Sequence, residues 1–293
     1  MPLRVGFLIY PEFTQLDMTA PFEVFARMPE TEVLVLWKTR DAVPSDHGLH
    51  VLPNGTLRDC PQLDLVCVPG GPGCAAVVED SEVLDFLAER GGKAGYVTSV
   101  CTGSLVLAAA GLLRGFRATS HWSVLELLSL FGATPVAERV VVDRNRITGA
   151  GVTSGIDMAL RTAAMLFGDD LACEIQLRLE YDPAPPYDCG SPAKAPKSIV
   201  DRARAVMVDL RGAVPLMSTV DWEDIKRSGS RTAIPVDVPM AILVPECLLS
   251  ACDQYGRQMA NIGRARFFFN EPCDAAAWLE SRLRRMARAR GTA

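Results

Sequence analysis

Residues 95–113 read GYVTSVCTGSLVLAAAGLL, and this stretch decides the fold. A β-branched run, Val97, Thr98 and Val100, leads straight into Cys101, and a small-residue apolar segment follows with no linker. Cys101 therefore occupies a strand-to-helix turn, the arrangement called a nucleophile elbow when serine stands there. Open α/β sheets place their ligands at the carboxyl ends of the strands, which is where such a turn lies. The helix N-terminus carries partial positive charge and free amides, so the expectation is a thiol with a lowered pKa beside donors for an anion. Cysteine is otherwise among the most often buried residues. Cys60, Cys67, Cys173, Cys247, Cys252 and Cys273 lack such a turn and are read as structural.

Working outward from the elbow, strand and helix signals alternate. Continuous apolar runs at 5–10, 32–37, 65–68 and 95–100 have strand length and suit strands buried on both faces. Helical patterns cover 17–27, 82–90, 103–113, 154–167 and 171–180, and a hairpin is expected at 140–143 and 146–148 around Arg144 and Asn145. The alternation predicts an α/β fold, a doubly wound parallel sheet with helices on both faces. The proline-rich tract 181–197, YDPAPPYDCGSPAKAPK, marks the edge of this first domain, 1–197. A smaller C-terminal α/β module, 198–293, then alternates again. Its expected strands are 205–210, 240–244 and 265–269, with helices near 198, at 221–226 and 248–259, and from 274.

The 293 residues carry a net charge of −5 with pI near 5.4, which is no electrostatic footprint for nucleic acid. The one basic run, Arg282 to Arg290, reads as the cationic last turn of a helix. No run approaches the ~18 apolar residues of a membrane span. The N-terminus lacks a small-residue cleavage site, and nine cysteines without a CxxC pair suit neither a disulfide framework nor a zinc site. A cytoplasmic protein is expected.

Three further features surround the elbow. In VCVPGGPG, residues 66–73, Gly70 and Gly71 present amides unobstructed by side chains, as half an oxyanion hole or simply as a tight turn. The spacing is not that of a dinucleotide fingerprint. Asp17, in FTQLDMTAPFEVF, stands at the mouth of the first strand–helix unit, either as a helix cap or as a carboxyl moving protons beside the thiol. Of the three histidines, His47, His50 and His121, only His121 in ATSHW follows the elbow helix, as a structural residue or as a base.

Together LDMTAPFEVF, LDLVCVPGGPG, TSVCTGSLVLAAAGLL, RATSHW, RVVVDRNRITGAGVTSGIDMAL and IQLRLEYDPAPPYDCGSP resemble the ThiJ/PfpI superfamily, over about residues 1–195 and in order. This is a flavodoxin-like, class I amidotransferase-related fold. Within it the chain looks most like the isonitrile hydratase branch, because Thr102 follows the cysteine where proteolytic relatives have histidine. The resemblance implies Cys101 as nucleophile, Asp17 as proton carrier and Thr102 as an essential hydroxyl neighbour. It also implies Gly71 as a backbone donor beside the Thr102 amide, a small-molecule substrate, no cofactor or metal, and a homodimer. The implied chemistry is attack of the soft thiolate on an isonitrile carbon to give a thioimidate, with Asp17 supplying the proton. Water then adds and an N-substituted formamide leaves. Residues 198–293 extend beyond the family domain and faintly resemble SpoIIAA-like, STAS-type modules, which implies a protein partner for the extension. Two alternatives stay open: glyoxalase- or deglycase-type action on small aldehydes with His121 as the base, and ligand or redox sensing without catalysis.

Overall fold

The computed structural model describes residues 2–204 together with the strands Met207–Asp209, Met240–Leu243 and Arg266–Phe269. The helices expected at 221–226, at 248–259 and from 274, the arginine run, and Cys247, Cys252 and Cys273 lie outside the described residues. The chain divides into two compact units, Met1–Ala184 and Pro185–Ala293, within the proline-rich tract.

The first unit is built on seven strands: β1 (Leu3–Leu8), β2 (Thr31–Trp37), β3 (Gly55–Thr56), β4 (Leu65–Val68), β5 (Tyr96–Val100), β6 (Val140–Asp143) and β7 (Arg146–Gly149). Their order across the sheet is β6-β7-β5-β4-β1-β2-β3. Every neighbouring pair is parallel except β6 with β7, the expected hairpin, which closes one edge. The central strands are buried on both faces, with all four residues of β4 inaccessible, and this is why they read as unbroken apolar runs. Five helices cover the sheet: α1 (Gln15–Phe25), α2 (Ser81–Lys93), α3 (Gly103–Ala109), α4 (Ser154–Phe167) and α5 (Asp169–Arg178). Helix α1 packs against α4, and α2 against α3.

Local chemistry accounts for these elements. Asp80 caps α2 by accepting the Val83 N–H, and Val83, Phe86 and Leu87 repeat at helical spacing to form its buried stripe. Helix α3 was expected to run to 113 but ends at Ala109. Gly111 takes a left-handed φ of 77°, and the Leu112 N–H reaches back to Leu107 O, so a turn replaces the last helical residues. Cys60, Cys67 and Cys74 are buried free thiols; Cys173, read as structural, is exposed, as is Cys189.

In the second unit the helix Lys197–Arg204 precedes a three-stranded parallel sheet with Met240–Leu243 at its centre. These strands fall within the expected positions. No helix among the described residues is long and apolar enough to cross a membrane.

Candidate active site

The carboxyl end of β5 delivers Cys101 to the centre of the sheet, beside the turn that ends β4. Cys101 has φ 57°, a left-handed conformation that costs a residue with a β-carbon ~1–3 kcal/mol. Three hydrogen bonds hold it there. Its N–H donates to Gly149 O at 3.0 Å, and its carbonyl accepts from Ser104 Oγ and Ser120 Oγ, both at 3.1 Å. The side chain is thereby turned out of the strand direction, beside Asp17 of α1.

Asp17 lies in the first turn of α1 and is fully buried. It does not cap the helix: Thr14 occupies the cap position, and the Asp17 carboxylate is spent elsewhere. Asp17 Oδ2 accepts the Gly70 N–H at 2.9 Å, whereas Oδ1 is buried with no hydrogen-bond partner. Thr102 is locked to the same turn, its Oγ1 accepting the Gly71 N–H at 2.9 Å and donating to Gly71 O at 3.3 Å. The close approach demands glycine, because a β-carbon on Gly70 would lie 2.5 Å from Thr102 N and 2.8 Å from Asp17 Oδ2. Sequence reasoning made Gly71 a free donor for an anion. In the structure the Gly71 amide donates to Thr102 Oγ1 and the Gly70 amide to Asp17 Oδ2, so the turn fixes both side chains.

The titration of the pair corrects a second expectation. Cys101 was expected to have a lowered pKa, yet burial first and the Asp17 charge second push the thiol up, with the Thr102 amide alone pulling the other way. One amide at the start of a seven-residue helix does not offset removal from water beside a carboxylate. Burial likewise raises Asp17 to about 7, against the Gly70 and Cys101 contacts that favour its charge. Burial thus favours the neutral form of both partners, the thiol and the carboxyl. Cys67 and Cys74 are each pushed by burial up to about 12, and Cys74 Sγ donates to Thr102 O at 3.3 Å.

His121 follows Ser120 in chain order, so it stands near the Cys101 backbone, but its ring bonds elsewhere. Nδ1 lies 2.7 Å from Ser123 Oγ and accepts the Ser123 N–H at 3.4 Å. Burial lowers the His121 pKa. Ser104, Ser120 and Gly149, which fix the Cys101 backbone, carried no signal in the sequence, because each is a small residue whose partner is decided by packing.

The Asp17 shift makes a stability prediction. The carboxyl has its ordinary value of 3.8 when unfolded and about 7 when folded, so the folded state binds the extra proton between these values. Stability from this group is fully present below about pH 4 and is lost as pH rises through about 7, a span on the order of a few kcal/mol. Melting temperatures of wild type and Asp17→Asn are expected to diverge in the variant's favour as pH is raised across this window. A constant difference between the two would contradict a raised Asp17.

This fold and site define the class: the chain belongs to the DJ-1/PfpI family, whose profile matches residues 3–165. Among named relatives it is 52% identical to the isonitrile hydratase of Pseudomonas putida over 204 residues, 70% of this chain and 90% of that protein. It is 31% identical to the HTH-type transcriptional regulator GbdR of Pseudomonas aeruginosa over 62% of this chain and 51% of the regulator. A crystal structure of a ThiJ/PfpI family protein from Pseudomonas syringae matches with TM-score 0.67 and 40% identity, covering 78% of this chain and 90% of that one.

Proposed function

We propose that the first unit hydrates an isonitrile to an N-substituted formamide, with Cys101 as nucleophile, Asp17 as proton carrier and Thr102 as the hydroxyl that holds the turn. The observation that carries this reading is the 52% identity, across 90% of its length, to a protein named for that activity. The site supplies a chemistry that balances. As Cys101 Sγ forms its bond to the isonitrile carbon, the thiol proton passes to Asp17 and from Asp17 to the same carbon, leaving a thioimidate, R–N=CH–S–Cys101. Water then adds to that carbon, its proton reaching the nitrogen; the C–S bond breaks, the hydroxyl proton returns through Asp17 to sulfur, and R–NH–CHO departs. A carboxyl near 7 suits both directions of transfer, since a proton carrier works best close to the operating pH. Asp17 Oδ1 is the carboxyl oxygen left uncommitted for these transfers. His121 has its Nδ1 engaged by Ser123 and its basicity lowered by burial, which weighs against the aldehyde-directed alternative that requires it as the base.

The test is purified protein incubated with a simple isonitrile, with the N-formyl product followed by chromatography. Absence of product with a folded protein rejects the assignment. The free thiols among the described cysteines support a reducing, cytoplasmic setting, and the family resemblance supports a homodimer, which light scattering measures directly. The extension 198–293 we read as a separate module with a protein partner. Residues 1–197 expressed alone are expected to remain soluble and retain turnover; an insoluble fragment would make the extension part of the catalytic fold.

A further inference from the structure

A second carboxylate reaches the site from outside the motifs. Asp46 lies in the loop between the short strands Val43–Pro44 and His50–Val51. Its N–H donates to Phe13 O at 3.0 Å, and its Oδ2 accepts the Thr14 hydroxyl at 2.8 Å. The chain of bonds continues inward. The Thr14 N–H donates to Gly70 O at 2.8 Å, and the Gly70 N–H donates to Asp17 Oδ2 at 2.9 Å. Asp46 thus grips the residue that begins α1 and, through it, the turn that holds Asp17.

We propose that Asp46 is a positioning residue for the Cys101–Asp17 pair, fixing the entry of α1 through Thr14 and, through the Gly70 turn, the carboxyl of Asp17. The inference rests on Asp17 being the proton carrier. Asp46 is charged when Asp17 titrates: burial works against its ionisation, but the bonds to His47 and Thr14 hold it below the usual carboxylate range. His47 Nδ1 sits 3.0 Å from Asp46 Oδ1, on a ring 89% exposed to solvent. The titratable groups acting on or acted on by Asp17 are Tyr10, Cys67, Cys101 and Asp46, with no cation among these described residues. Each extra negative charge in that set favours the protonated form of Asp17.

The test compares Asp46→Asn, which keeps an acceptor for the Thr14 hydroxyl and loses the charge, with Asp46→Ala, which loses both. The readout is the Asp17 carboxyl titration in the full chain by 13C NMR, identified by the signal missing in Asp17→Asn. Asp46→Asn is expected to lower the Asp17 midpoint by about 0.5 pH unit, the scale of one partly screened like charge. Asp46→Ala is expected to shift it as far and also to cut kcat about tenfold at unchanged KM through the loosened turn. Wild-type kcat in Asp46→Ala overturns the inference, whatever the Asp17 midpoint does. If no form of the protein turns over isonitrile, the proposed activity fails, and the Asp17 midpoint in Asp46→Ala then decides whether Asp46 positions that carboxyl: a shifted midpoint supports it and a wild-type midpoint overturns it.

Discussion

Cys101→Ala is expected to abolish isonitrile turnover, by at least ~10⁴-fold, as loss of a covalent nucleophile generally does. The expectation follows from the isolation of this thiol. Cys74 is the sulfur nearest in the bond network, but it is committed to the Thr102 carbonyl as a donor. Cys67 lies within β4, away from the elbow. Among the described cysteines, Cys101 is the one that stands at the elbow paired with a carboxyl. The substitution leaves the backbone bonds from Gly149, Ser104 and Ser120 in place, and alanine carries the same left-handed strain as cysteine, so the fold is expected to persist. Two measurements check the point together: formamide release, and the mass of the protein after quenching during turnover. Wild type is expected to show an adduct equal to one isonitrile and Cys101→Ala none. Turnover of the variant within tenfold of wild type would remove the thiol from the mechanism.

Asp17→Asn is expected to lower turnover by ~10²–10⁴-fold, the usual range for a lost proton carrier, while His121→Gln remains within about tenfold of wild type. Asparagine retains an oxygen for the Gly70 N–H, so the turn survives while the transferable proton is gone. Helix capping does not confuse the result, because Asp17 is inside α1 and the cap is at Thr14. Glutamine preserves a hydrogen-bonding side chain at the His121 position, and burial already lowers the basicity of the imidazole, whose Nδ1 is engaged by Ser123. The pH dependence distinguishes the roles further: wild-type kcat/KM is expected to change near pH 7 with Asp17, and that feature is expected to vanish in Asp17→Asn. The reverse ranking, with His121→Gln inactive and Asp17→Asn near normal, would transfer the proton chemistry to the histidine and favour the aldehyde reading.

The sequence by itself determined the sheet, the elbow and the residue types of the site. Unbroken apolar runs such as 65–68 are legible as strands because both faces must be dry, and a strand running into Cys101 and then a small-residue helix permits only one kind of turn. Asp17 and Thr102 are legible as neighbours of that turn through the family resemblance. Their division of labour was decided only by tertiary structure. Whether the Gly70 and Gly71 amides face an anion or a side chain depends on how closely β4, α1 and the elbow approach, a distance that no local pattern encodes. The titration of Cys101 is likewise a contest between one helix amide, visible in the sequence, and the depth of burial beside Asp17, which is not. Asp46 is the clearest case: it lies 29 residues from Asp17 in the chain, in a loop with no motif, and meets the site only through Thr14 and Gly70. Short-range periodicity fixes which residues are inside, whereas hydrogen bonding and electrostatics act between elements that only the folded chain brings together.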